Sequence, residues 1–186
     1  MQRRRLAREL AFVPQDNYLP FAFTVREIVA TGRNPHLGRF QREQEADRIA
    51  IAEALRLTDT ADLANRFVTE LSGGERQRVM IARSFATKAS VILMDDPTAN
   101  LDPAHAIDIL ELSRTLVSSG TAVVLSTQDL SFAVRYADRI ALMKSGSLIA
   151  AGGAEVLTDS VIHSVFGVRG AWATTVDGER ALVFHH

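Results

Sequence analysis

Two adjacent aspartates, Asp95 and Asp96, close the apolar run Val91–Met94 in VILMDDPT. Carboxylates at the carboxyl end of a buried strand sit where open α/β sheets bind ligands. Side chains alternate along a strand, so two neighbours can point differently and serve different tasks. Asp95 suits a divalent cation such as Mg²⁺, held directly or through water, and Asp96 suits a water that it acts on as a general base. The same pair also suits a plain acidic turn ahead of Pro97.

A second constellation lies upstream, in Leu71-Ser72-Gly73-Gly74-Glu75. The S-x-x-E spacing ahead of a helical run is a capping box, with Ser72 and Glu75 exchanging hydrogen bonds with each other's amides. The two glycines add a second possibility. Glycine is a poor helix former, so its use in a first turn suggests amides left open at the positive end of the helix dipole. Such a start receives an anion, phosphate above all, and Arg76 and Arg78 add positive charge nearby.

These residues need a scaffold. Residues 1 to about 16 read as a short charged helix and a brief strand, Ala11 to Val13. Residues from about 17 to 90 are mostly helical, with Thr24 and Glu27 framing one helix start and Ile49, Ala52 and Leu55 proposed for the inner face of Gln41 to Leu57. From about 90 to 166 strands and helices alternate, which argues for a parallel sheet with helical crossovers. VILMD and TAVVLST read as strands buried on both faces. Asp102 caps a helix with Pro103 in its first position, and Ile109, Leu112 and Leu116 line one side of it. RIALMKSGSLIAAG is a hairpin turning at Ser145-Gly146, and residues 167–186 form a second hairpin with Asp177-Gly178 in its turn.

The composition suits one soluble domain: 186 residues, 47% hydrophobic and 23% charged, with a formal net charge of −1. That balance gives no support to nucleic-acid binding. The chain has no cysteine, hence no disulfide or thiolate chemistry, as fits a reducing compartment. No apolar run reaches the roughly 18 residues a membrane span requires. The charged start MQRRRLARELAFV does not read as a signal peptide. The five histidines show no metal-ligand spacing and read as ordinary surface or core residues.

LSGGERQRVMIARSFA followed by VILMDDPTANLD resembles the signature helix, Walker B strand and D-loop of ABC transporter ATP-binding subunits. TVREIVATGRNPHLGRF is further similar to the ATPases of iron–siderophore, haem or cobalamin importers. The resemblance implies an α/β, P-loop NTPase-like core with an inserted helical subdomain at about residues 17–90, core strands and helices at 91–166 and a C-terminal hairpin. It implies an ATPase that uses ATP and Mg²⁺, works as a dimer of ATP-binding subunits and serves transmembrane permease subunits from the cytoplasmic face of the inner membrane. Gln15 would touch Mg²⁺ or the attacking water. Ser72, Gly73 and Gly74, with Glu75 behind them, would clamp the γ-phosphate of ATP held by the opposite subunit. Asp95 would serve the metal and Asp96 would polarise water. Gln128 would sit in the switch segment, and Asp102 would cross the dimer interface. Tyr18, Leu19, Phe21 and Phe23 would lie in the groove that receives the permease's coupling helix, or would be simple core residues.

Three departures matter. The family has glutamate at position 96, and aspartate shortens the reach by roughly 1.5 Å. It has histidine at position 128, and glutamine cannot take up a proton near neutral pH. Both changes point to slow hydrolysis. Third, the only lysines are Lys88 and Lys144, neither preceded by glycine, so residues 1–186 hold no G-x-x-x-x-G-K-[ST] phosphate loop. RRRLARELAFVPQ resembles the middle of the family's domain, so the expectation is a domain whose phosphate-loop part is encoded upstream in frame. The alternative is a non-hydrolysing partner or inactive fragment that lends its signature motif to another subunit's ATP. In the family the missing strand lies between those at Ala122–Ser126 and Arg139–Met143, whose edges are then expected to lack a neighbour.

Overall fold

The computed structural model describes residues 3–15, 21–38, 40–99, 101–176, 178 and 180–185. They fall into two units, residues 1–126 and 127–186.

The first unit is built on a three-stranded parallel sheet in the order β1 (Leu10–Val13), β2 (Val91–Met94), β3 (Ala122–Leu125). The register sets Ala11, Ile92 and Val123 side by side, and then Val13, Met94 and Leu125. These six face a common core. The alternate row, Phe12, Leu93 and Val124, faces the other way, and Phe12 and Val124 are 52% and 58% exposed. The expectation that VILM and AVVL are buried on both faces is therefore corrected: one face is covered by helices and the other leaves apolar side chains open. Among the described residues strand β3 bonds to β2 alone, an edge of the kind that seeks a partner.

Helix α1 (Arg3–Glu9) runs into β1. Its Arg8 Nε donates to the Pro35 carbonyl at 2.8 Å, and Arg4 donates to the carbonyls of Pro35 and Leu37. Helix α2 (Val25–Ala30) starts at the expected capping box: Thr24 Oγ1 accepts from the Glu27 amide at 3.3 Å and Glu27 returns a bond to Thr24 N–H at 2.8 Å. Helix α3 (Glu45–Leu57) buries Asp47, Ala50, Ile51, Ala54 and Leu55. Of the expected face only Leu55 is inside; Ile49 is 59% exposed and Ala52 is exposed. Positions three apart throughout drift off a 3.6-residue period, and the stripe that tracks it starts at a buried aspartate.

That aspartate is paired. Arg33 Nε donates to Asp47 Oδ1 at 2.8 Å, with the two residues 8% and 5% exposed. Arg33 Nη1 also donates to the Ala86 carbonyl at 2.8 Å, and His36 Nε2 lies 2.8 Å from the Thr87 carbonyl. A cation and an imidazole thus satisfy the orphan carbonyls at the C-terminal end of α4 (Gly73–Ala86), where the helix dipole favours them. At Gly32 a Cβ would come within 2.1 Å of the Arg83 carbonyl, so only glycine lets this segment lie against α4. Helix α5 (Pro103–Ser118) carries the chain from β2 to β3; Ile109 and Leu116 are buried and Leu112 packs beside them.

The second unit contains α6 (Leu130–Tyr136), α7 (Asp159–Phe166) and two antiparallel hairpins, β4 (Ile140–Lys144) with β5 (Ser147–Gly152) and β6 (Arg169–Thr174) with β7 (Arg180–His185). Its core is Leu130, Ile140, Leu142, Leu157, Ile162 and Leu182. Ser145 and Gly146 both take positive φ, 49° and 78°, as the expected tight turn requires. In the second hairpin Thr174 pairs with Arg180. Gly178 turns there with φ 82°, while Asp177 lies outside the described residues.

Candidate functional site

The three strands of the first unit end level, with Val13, Met94 and Leu125 paired across the sheet. The ladder runs one residue further. Asp95 N–H donates to the Val13 carbonyl at 2.9 Å and Ser126 N–H to the Met94 carbonyl at 2.9 Å. Gln15, Asp95, Asp96 and Ser126 therefore all leave the carboxyl edge of one sheet, and Gln15 and Asp95 are exposed there.

Asp95 and Asp96 differ as alternation requires. Asp95 extends the strand, and its Oδ1 accepts from the Ser126 hydroxyl at 2.8 Å. Asp96 breaks away with φ 41°, a left-handed conformation, and its amide donates to the same Ser126 Oγ at 2.8 Å. The αR region is disfavoured before Pro97 in any case. The Asp96 carbonyl then accepts from Ala99 N–H at 3.0 Å, closing a turn. Asp96 is half-buried, and burial first and the Asp95 carboxylate second push its carboxyl above the usual aspartate range. A carboxyl so shifted is a better proton acceptor than an ordinary one.

At the start of α4 the capping box is present: Ser72 Oγ accepts from Glu75 N–H at 3.3 Å, and Glu75 Oε2 accepts from Ser72 N–H at 2.8 Å. These Ser72 bonds, then Arg66 and Arg78, hold the Glu75 carboxyl below its ordinary range. Arg76 turns back onto the Leu71 carbonyl at 3.0 Å.

The two glycines are not equivalent. A Cβ on Gly73 would meet nothing within 4 Å, whereas one on Gly74 would lie 2.9 Å from Cδ2 of His105. Gly73 is open to an approaching group, and Gly74 is small because a ring packs on it. That ring is anchored, with His105 Nδ1 2.5 Å from Asp102 Oδ2. Asp102 also caps α5 as expected, its Oδ1 accepting from the amides of Ala104 at 3.0 Å and His105 at 3.1 Å. The His105 amide foremost, then its ring, keep the Asp102 carboxyl below its usual range. The starts of α4 and α5 are thus joined through His105, which has a definite structural task that its lack of metal spacing did not reveal.

Gln128 belongs to the second unit, exposed and one residue before Asp129, whose Oδ1 caps α6 by accepting from Ser131 N–H at 2.8 Å. Phe21 and Phe23 are exposed rather than core, with their rings edge to face at 6.2 Å. Tyr18 and Leu19 lie outside the described residues. Ser126 and His105 are the two site residues that sequence reasoning missed. Each carries a signal, a hydroxyl at the end of a strand beside the aspartates and an imidazole one turn after a capping aspartate.

Among the described residues no three His, Asp or Glu side chains gather as a metal cluster. A cation here would take the Asp95 carboxylate and fill its shell with water and phosphate oxygens, which is the habit of Mg²⁺. The donor set fits that ion.

A sequence profile described as ABC transporter matches residues 1–99. A hemin import ATP-binding protein of Rhodococcus jostii is 42% identical over 163 residues, covering 87% of this chain and 55% of that protein. A cobalamin import ATP-binding protein of Halobacterium salinarum is 44% identical over 170 residues, covering 90% of this chain and 42% of that protein. The chain thus spans about half the length of these two relatives. A solved metal-chelate type ABC transporter in an inward-facing conformation superposes with a TM-score of 0.87 at 30% identity, over 96% of this chain and 72% of that one.

Proposed function

The chain belongs to the ABC transporter family, and on that premise we propose that it acts in an ATP-hydrolysing subunit energising an importer of iron–siderophore, haem or cobalamin-type complexes. The observation that carries this reading is the pair Asp95–Asp96 at the end of β2, one extended and one turned left-handed. The relatives that import hemin and cobalamin support the substrate class.

In this reading Asp95 and Gln15 hold Mg²⁺, which when bound neutralises charge on the phosphates of ATP. Asp96 orients the attacking water and receives its proton, a task its raised carboxyl suits. Ser72, Gly73 and Gly74 present the open start of α4 to the γ-phosphate held by a second ATP-binding subunit, with Glu75 locking the turn. Asp102 reaches across that interface, and Gln128 stands in the switch segment. Phe21 and Phe23 offer apolar surface to a transmembrane permease, and no described helix is itself long and apolar enough to cross a membrane. The subunit works peripherally, at the cytoplasmic face of the inner membrane.

The test supplies the chain with an ATP-binding subunit that carries a phosphate loop. Gly73→Asp sets a negative side chain in the open space and should lower ATP hydrolysis by about tenfold or more, equivalent to ~1.4 kcal/mol. An unchanged rate would leave Ser72–Glu75 as a capping box and nothing more.

A further inference from the structure

We propose that Ser126 is a positioning residue of this site, its one hydroxyl orienting the Asp95 carboxylate and holding the Asp96 backbone in its left-handed turn. The inference deepens the reading of Asp95 and Asp96 given above and rests on it.

The geometry is over-determined. Ser126 follows β3 directly, and its amide continues the ladder to the Met94 carbonyl at 2.9 Å, so its backbone is fixed beside Asp95. Neighbouring positions on paired parallel strands project to the same face, and Ser126 Oγ accordingly reaches Asp95 Oδ1 at 2.8 Å. A hydroxyl has one proton and two acceptor sites. The proton goes to Asp95, and an acceptor site takes the Asp96 amide at 2.8 Å. The amide bond secures a φ of 41° that side chains other than Gly, Asn and Asp rarely adopt. The carboxylate bond commits one oxygen of Asp95 and leaves the other for a cation. A single atom from the neighbouring strand therefore fixes both the direction of one carboxylate and the turn that carries the next.

Alanine removes both bonds and threonine keeps the hydroxyl. Backbone NMR on the 186-residue chain separates the possibilities. In the native chain the Asp96 amide should exchange slowly with solvent; Ser126→Ala should speed that exchange by about tenfold, as loss of one hydrogen bond implies, and Ser126→Thr should restore it. Mn²⁺ added alone should broaden the Asp95 and Asp96 amide signals selectively. The concentration giving half-broadening should rise by about tenfold in Ser126→Ala, because the Asp95 carboxylate is then no longer held in one direction, and return in Ser126→Thr.

An Asp96 amide that exchanges in the native chain like an open loop overturns the inference, and this holds even if Ser126→Ala does not fold. Equal Mn²⁺ broadening in the native chain and in Ser126→Ala also overturns it, while the metal reading of Asp95 survives. If Mn²⁺ leaves both aspartates sharp in the native chain but Ser126→Ala still frees the Asp96 amide, the bridge stands and the metal reading falls.

Discussion

The adjacent glycines of the α4 start should respond oppositely to the same substitution. Gly73→Ala places a methyl group where nothing lies within 4 Å. Replacing glycine in a helix by alanine then contributes stability through the unfolded chain, about 0.5 kcal/mol at a first-turn position. Gly74→Ala gains a similar amount but sets its Cβ 2.9 Å from Cδ2 and 3.2 Å from Cγ of His105. The ring cannot swing aside freely, because Nδ1 is held 2.5 Å from Asp102. Overpacking of this kind costs about 1–3 kcal/mol, so the net loss is about 1 kcal/mol. At about 2–4 °C per kcal/mol for a chain of this size, the two variants should melt some 3–6 °C apart by circular dichroism, with Gly73→Ala the higher. In a His105→Ala background the Gly74→Ala penalty should disappear, and a double-mutant cycle measures this directly. Equal shifts for the two glycines, or the same Gly74→Ala cost with and without the imidazole, would refute the packing argument.

The buried pair gives a second expectation: Asp47→Ala strands the Arg33 guanidinium, 8% exposed, and should cost about 3–5 kcal/mol by urea denaturation, whereas Arg33→Met with Asp47→Leu should cost far less. The pH dependence follows from the same residue. The Gln44 amide first and Arg33 second hold the Asp47 carboxyl below its ordinary range, so its stabilisation is fully present above about pH 4 and is lost as pH falls through the lower folded value. Melting points taken down to about pH 2 should fall, and Asp47→Asn should flatten that slope. Asp96 works in the opposite sense: its carboxyl is raised, ionising it costs stability as pH rises above the ordinary value, and Asp96→Asn should raise the neutral-pH melting point.

The features legible in the sequence are those settled within a few residues. Thr24 with Glu27, Ser72 with Glu75, Asp102 with Pro103 and Ser145 with Gly146 each carry their own partner or conformation nearby, and each takes the expected place. What escaped depends on distance along the chain. Asp47 is buried because Arg33 meets it from another segment, and no helical period announces that. Ser126 reads as the last residue of a strand until Asp95 and Asp96, some thirty positions earlier, are found against its hydroxyl. The apolar run of β3 reports that its side chains can be covered, not that they are; Val124 shows the difference. The division of labour between Gly73 and Gly74 is invisible in a repeated letter, and only the ring against one of them tells them apart.

Helix α4 is pinned at both ends. Ser72, Glu75 and the His105–Asp102 clasp hold its beginning, and Arg33 and His36 hold its closing carbonyls. Its 14 residues make a rod of about 21 Å. Bonds at both termini work against fraying, and Gly32 lets residues 31–36 lie directly against the helix. A displacement of residues 32–36 is therefore expected to be taken up by the helix as a unit rather than by loosening of its last turn. That would couple the Arg33 segment to the glycine-opened tip.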